Sequence, residues 1–167
     1  MRIFIDGYNL IFEASKRMGG FDMRNTEAAR EKLLRMLAKY KSLREDRFLV
    51  FFDGSQESAH LPRRQFMRGM DVLFSDPDSD ADTDIKYTVS HDGNPRDIRV
   101  VTSDRAIQTF VTQYGSQVTE SRDFLDEIDH ALSRNALPSD EPIEKYEGGS
   151  EDETNYWLKV FGGDEDE

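Results

Sequence analysis

Two stretches of this chain share one design, a run of large apolar residues that ends on an aspartate followed by a glycine. Residues 2–6 close on Asp6-Gly7, and residues 47–53, through Phe48-Leu49-Val50-Phe51-Phe52, close on Asp53-Gly54. Apolar runs without alternation are what strands covered on both faces of a parallel sheet require. Between them, residues 26–43 place Ala29, Leu33, Leu34, Met36, Leu37 and Tyr40 near helical spacing, with Asn25 or Thr26 able to cap the start. Strand, helix and strand in that order imply a right-handed crossover.

The alternation continues. Residues 72–74 predict a third short strand, 82–91 a helix, 98–102 a fourth strand, and 103–114 a helix capped by Ser103 or Asp104 and ended by Gly115. Residues 117–119 predict a brief fifth strand. Residues 121–134 predict a helix with Ser121 as cap and Phe124, Leu125, Ile128 and Leu132 on one face. The expected fold class is α/β, a doubly wound and mostly parallel sheet of about five strands flanked by helices.

The pattern stops after Leu137. Residues 1–136 read as one domain, and 137–167 as an acidic, largely disordered tail interrupted by an aromatic segment at 156–161 that carries the only tryptophan. The net charge of −12 argues against a nucleic-acid partner until its distribution is considered, because the tail alone holds 11 acidic and 2 basic residues. The body is therefore close to balanced. Such a tail is suited to mimic nucleic acid or to attract a basic partner such as a ribosomal protein.

With no cysteine, disulfides and thiolate metal sites are excluded, and three scattered histidines do not suggest a zinc site, so any metal must be held mainly by oxygen. Asp6 interrupts the first apolar run before it could serve as a signal, and no stretch is long and apolar enough to span a bilayer. A soluble, cytoplasmic protein with no membrane role is expected. No glycine-rich phosphate loop or dinucleotide fingerprint is present, so no nucleotide cofactor is expected.

In an open parallel sheet the ligand crevice lies beyond the carboxyl ends of the strands, where Asp6, Asp53 and Asp104 all fall. The loop before the third helix adds Asp76, Asp78, Asp80, Asp82 and Asp84, of which Asp82 is the first choice to face the crevice and Asp84 the second. Clustered carboxylates repel unless a cation neutralises them, and a hard ion such as Mg²⁺, or Mn²⁺ in its place, takes oxygen ligands. That inventory suits phosphodiester hydrolysis. Each acid alone has a plainer reading as a turn former or helix cap, strongest for Asp104 and weakest for Asp6.

Ile3-Phe4-Ile5-Asp6-Gly7-Tyr8-Asn9-Leu10-Ile11 resembles the opening of the YacP-like NYN domain family, within the wider PIN-like nucleases. Val50-Phe51-Phe52-Asp53-Gly54, Ala81-Asp82-Thr83-Asp84-Ile85 and Val100-Val101-Thr102-Ser103-Asp104-Arg105 agree with that family in order and spacing. The resemblance covers roughly residues 1–132. It implies a PIN-like sheet and a Mg²⁺-dependent ribonuclease with catalytic acids at Asp6, Asp82 and Asp104, Asn9 assisting and Asp53 supporting. The acidic run at 76–84 and the long acidic tail depart from the family pattern.

Asn9, three residues beyond Asp6, has the functional reading of orienting a water or a phosphate oxygen and the plainer one of an Asx turn. Tyr8 reads as packing. For holding RNA the candidates are Arg63, Arg64, Arg68, Lys16 and Arg105, with Arg17 and Arg24 as further cations. Residues 63–68 read as a basic loop, and Phe66 and His60 beside its arginines could stack on unpaired bases of single-stranded RNA, or the loop could be merely solvated with Phe66 in the core.

Three rivals remain. A non-cutting RNA-binding or protein-interaction module of the same fold would bind without metal. A phosphatase of the haloacid-dehalogenase type expects an acid where Tyr8 stands, and a phosphorelay receiver expects paired acids at the first strand and a late lysine, neither of which is found.

Overall fold

The computed structural model describes residues 1–17, 21–55 and 61–136. The tail at 137–167, its aromatic segment and His60 lie outside the described residues.

Six strands form one sheet in the order β3-β4-β2-β1-β5-β6. They are β1 (Arg2–Asp6), β2 (Arg47–Phe52), β3 (Arg64–Met67), β4 (Met70–Phe74), β5 (Ile98–Val101) and β6 (Gln117–Thr119). The central strand β1 pairs in parallel with β2 and with β5, and the parallel set extends to β4 and β6. Helices α1 (Gly7–Arg17), α2 (Thr26–Lys41), α3 (Ala81–Ser90), α4 (Arg105–Gln113) and α5 (Ser121–Ala136) flank the sheet. The fold is the mixed α/β arrangement expected.

Why β1 and β2 must be central follows from their neighbours. Ile3, Ile5, Phe48, Val50 and Phe52 pack into one core with α1, α2 and α5, while Phe4, Leu49 and Phe51 pack into a second with α3 and α4. Alternate side chains of one strand point to opposite faces, so both faces must be apolar. Full burial of a Phe or Ile side chain is worth about 1.5–3 kcal/mol each, which makes these two runs the main anchor of the domain.

The structure corrects the outline at four places. The sixth strand is β3, which lies where a basic loop was expected and pairs antiparallel with β4. Its two-residue turn puts Arg68 at φ 53° and Gly69 at φ 81°, the left-handed conformation that tight hairpins need. Helix α1 was not anticipated: it starts on Gly7 directly after β1, with no loop to announce it. Helix α3 begins one residue earlier than expected, and its cap is Asp80, whose carboxylate accepts the Thr83 N–H at 2.8 Å. Ser121 does not cap α5 but lies in its first turn, with its hydroxyl turned to Asn9.

Two expectations about caps hold. Asn25 accepts the Ala28 N–H at 3.2 Å at the head of α2, and Asp104 accepts the Ala106 and Ile107 N–H groups at 2.8 and 3.3 Å at the head of α4.

Candidate active site

The strand ends set the site. Ile5 and Phe52 face the α1/α2/α5 core, so Asp6 and Asp53, the next residues, project towards α3 and α4. Thr102, after Val101, has the same phase. Its hydroxyl donates to Asp6 Oδ2 at 3.0 Å, across 96 residues of chain.

The glycines after Asp6 and Asp53 permit this crowding. A Cβ on Gly7 would stand 2.3 Å from the Phe52 ring, and one on Gly54 would stand 1.9 Å from the Ser75 carbonyl oxygen. The Asp-Gly repeat is therefore a close-approach device, which lets a helix start immediately beside the aspartate in the first case and lets β2 and β4 end side by side in the second.

Burial pushes the Asp6 carboxyl up to about 6; the nearby charges of Asp53 and Asp104 add to the rise, while the hydrogen bonds from Thr102 and the Asn9 backbone oppose it. No cation is among these strongest influences. Asp53 Oδ1 accepts the Ala81 N–H at 2.6 Å and so ties the end of β2 to the start of α3. Asp104 spends one oxygen on its helix cap. Asp53 and Asp104 are both exposed, so their remaining oxygens face solvent.

Helix α3 contributes differently from its two acids. Asp82 Oδ1 lies 3.1 Å from Lys86 Nζ, yet the oxygen is buried and makes no well-directed hydrogen bond. The contact is an ion pair by distance, and it leaves the oxygen unsatisfied as a hydrogen-bond acceptor. Asp84 is raised, first by burial and then by Asp76, Asp80 and Asp53, against the opposing charge of Arg63. Asp6 is thus coupled by charge to Asp53 and Asp104, and Asp84 to Asp53, while Asp82 faces Lys86.

Among the described residues no three carboxylate or imidazole side chains stand close enough together to form a ready-made metal site. The donor chemistry nevertheless fits a hard divalent ion. Asp6 is a partly desolvated carboxylate that feels the charges of two others, and Asp82 offers an unsatisfied buried oxygen, both of which a cation would relieve.

Asn9 is a clamp. Its Oδ1 accepts the Ser103 N–H at 2.9 Å and the Ser121 hydroxyl at 2.5 Å, and Ser103 Oγ accepts the Ser121 N–H at 3.2 Å. One side chain on α1 thus fixes the loop that carries Asp104 and the first turn of α5. Thr102, Ser103 and Ser121 were not singled out as site residues from the sequence. Short hydroxyl residues at strand ends are too common for their partners to be guessed.

The basic candidates divide between the two ends of the sheet: Arg63 and Arg105 lie at the carboxyl edge, whereas Arg68, in the turn before β4, and Lys16, in the last turn of α1, lie away from it. Arg63 pairs with Asp76 at 3.3 Å and acts on Asp84, which places it beside the acids. Arg64 is held by Asp71 at 3.1 Å, and Arg68 by Glu31 at 2.6 Å. Lys16 pairs with Glu13 at 3.2 Å and sits 4.5 Å over the Phe12 ring. Arg105 is exposed and follows Asp104 directly. Of the further cations, Arg17 pairs with Asp126 and Arg24 with Asp22. Phe66 is 73% exposed, so it is not part of the core. Tyr8 does pack, its ring 5.0 Å from that of Phe52.

No helix among the described residues is long and apolar enough to cross a membrane.

Comparisons with known proteins bear on the family and the fold. The model of the YacP-like NYN domain matches residues 3–155. The uncharacterized protein YacP of Bacillus subtilis (strain 168) is 27% identical over 128 residues, which are 76% of this chain and 74% of that protein. The crystal structure of Rae1 (YacP) from Bacillus subtilis superposes with a TM-score of 0.64, and that of its tryptophan-to-leucine mutant with 0.62, each at 24% identity. They cover 97% and 96% of this chain and 92% of theirs. This chain belongs to the YacP-like NYN domain family, whose fold is that of the PIN-like nucleases.

Proposed function

We propose that this protein is a metal-dependent ribonuclease, an endonuclease acting on single-stranded RNA in the cytoplasm. The observation that carries the reading is Asp6: a half-buried carboxylate at the carboxyl edge of the central strand, raised to about 6 first by burial and then by the charges of Asp53 and Asp104. A structural aspartate is ordinarily matched with a cation or left to solvent.

Asp6, Asp53 and Asp104, with Asp82 or Asp84 from α3, would hold Mg²⁺ or Mn²⁺. Such an ion, when bound, supplies positive charge to the scissile phosphate and to the oxygen that attacks it. The chain's own groups do the rest. Thr102 holds the Asp6 carboxylate in one orientation, and the Asn9 clamp fixes the Asp104 loop against α1. Arg63 and Arg105 bring phosphates to the edge by charge, and Arg64, Arg68 and Lys16 extend the positive field where their own pairs open.

A second reading, a non-cutting RNA-binding or protein-interaction module, draws support from the caps. Asp53 and Asp104 each have structural work at a helix start that needs no metal. The two readings separate when labelled single-stranded and structured RNAs are incubated with the protein in Mg²⁺, in Mn²⁺ and in chelator. Cuts that require the metal support the nuclease. Binding that is indifferent to chelator, with no cuts under any condition, supports the module. Capture of a basic protein partner by the acidic tail is a separate proposal, tested by comparing the full chain with one ending at residue 136.

A further inference from the structure

On the face of the sheet opposite the carboxylates, a cavity of about 270 Å³ lies between α2 and the β3–β4 hairpin. Its walls include Leu34, Met67 and Phe74, and Arg30, Glu27 and Gln65 add polar groups. At about 30 Å³ per water the space equals roughly nine waters, the scale of one nucleobase.

Arg30 is unusual among the arginines here. Its Nη1 donates to the Tyr8 hydroxyl at 3.0 Å and lies 3.5 Å from Thr26 Oγ1, and its guanidinium carbon stands 5.3 Å from the Phe74 ring centre and 6.0 Å from that of Phe52. Among the described residues no carboxylate pairs with it, whereas Arg2, Arg44, Arg47, Arg64 and Arg68 each have one. Glu31, which also lines the cavity, is drawn to Arg68. A half-buried guanidinium held by neutral partners at the wall of a cavity is a charge awaiting an anion, and its planar fork suits a phosphate.

The cavity is joined to the acids by a row of rings. Tyr8 follows Asp6 by two residues and packs on Phe52, which immediately precedes Asp53; Phe52 stacks on Phe74 at 5.6 Å and 28°. The row ends in the cavity wall.

We infer that this cavity is a nucleotide subsite that takes one unpaired base of the RNA, away from the scissile bond, with that nucleotide's phosphate on Arg30. The inference rests on the ribonuclease reading and deepens it. The base lies against Phe74, Leu34 and Met67, while Glu27 and Gln65 meet its polar edge. Aromatic and apolar contacts to one base, with an arginine on its phosphate, are a common means of holding single strands.

The full chain, titrated with adenosine and uridine 5′-monophosphates in chelator, is followed through the methyl NMR signals of Leu34, Met67 and Val72. Saturable shifts at these methyls, with Kd weakened about tenfold by Arg30→Gln, are expected. Met67→Trp fills the cavity from the edge strand without replacing Arg30, and it should abolish the same shifts. Absence of shifts, or shifts indifferent to both variants in folded protein, overturns the inference.

A second experiment uses single-stranded RNAs with one abasic position moved along the chain. One fixed position, counted from the cut, should raise KM about tenfold in the wild type and have no effect in Met67→Trp. Cleavage that is indifferent to every abasic position overturns the subsite and leaves the nuclease standing. Mononucleotide binding at these methyls in a protein that cuts no RNA supports the subsite and removes the nuclease.

Discussion

Ser121 Oγ donates to Asn9 Oδ1 at 2.5 Å, joining the first turn of α5 to the first turn of α1 across 112 residues. Because the same oxygen also accepts the Ser103 N–H, Asn9 is the point at which three segments around the acids meet. Asn9→Ala should leave the Ser103 amide and the Ser121 hydroxyl without their acceptor and cost about 1–3 kcal/mol, read as a lower midpoint in urea. Ser121→Ala should cost less, about 1 kcal/mol, because Ser103 keeps its bond. Equal losses in the two variants would contradict the clamp.

Asp6 makes stability depend on pH in a direction opposite to that of a salt-bridged acid. Its folded value of about 6 lies above the usual 3.8, so between these values the folded protein binds more protons than the unfolded chain. Stability therefore falls as pH rises through that window, and the loss persists above it. Asp6→Asn removes the ionisation and should stabilise the metal-free protein at pH 7.5 by about 1–3 kcal/mol, with the gain shrinking towards pH 4. Added Mg²⁺ should raise the thermal midpoint of the wild type and leave that of Asp6→Asn unmoved. An asparagine variant less stable than the wild type at pH 7.5 without metal would show that Asp6 is held by partners rather than strained by burial.

Asp71 behaves in the ordinary way. It is buried between Arg47 and Arg64, whose hydrogen bonds and charges hold its carboxyl below the usual range against the cost of burial. Its contribution is present above the unfolded value and is lost as pH falls through the depressed one. Asp71→Asn should cost roughly 1 kcal/mol at pH 7, since both arginines are more than half exposed and screened by solvent, and the difference should close in acid. Urea midpoints at pH 7 and pH 3 measure this, and an unchanged difference would remove the ion pairs from the account.

Gly7 tests the packing that puts Asp6 in place. The ring of Phe52 stands where a side chain would go, so Gly7→Ala should cost about 1–3 kcal/mol. Phe52→Leu should relieve part of that cost in the double variant. Simple additivity of the two changes would mean that they do not meet.

RNA affinity divides the basic residues. Arg63→Ala and Arg105→Ala should each weaken binding and lower the slope of log K against log salt by about 0.7, the value for one single-strand phosphate contact. Arg64→Ala should act mainly on stability through Asp71. An Arg64 effect on the salt slope equal to that of Arg63 would show that the Asp71 pair opens on binding.

Much of this was legible in the residues. The apolar runs ending at Asp6 and Asp53 gave the two central strands, because strands buried on both faces leave a composition that nothing else explains. The order of acids along the chain likewise pointed to the carboxyl edge of the sheet, where Asp6, Asp53 and Asp104 lie at or just past the strand ends. Helix α1 was hidden because it follows β1 without a loop and opens on glycine, tyrosine and asparagine, which are weak helix formers. Strand β3 was hidden because an edge strand needs only one covered side, and its exposed Phe66 and paired arginines read as a basic loop. Which acid of α3 faces Asp53 depends on the phase of one helical turn. Successive side chains on a helix are about 100° apart, and the core face of α3 is set by Ala81, Ile85 and Val89.

The most direct test of the central claim is single-turnover cleavage of a labelled single-stranded RNA in Mg²⁺ by the wild type and by Asp6→Asn, whose folding is confirmed by its thermal midpoint. The account predicts cuts by the wild type that chelator abolishes and that the stable Asp6→Asn protein does not make. Cleavage by Asp6→Asn at the wild-type rate would contradict it.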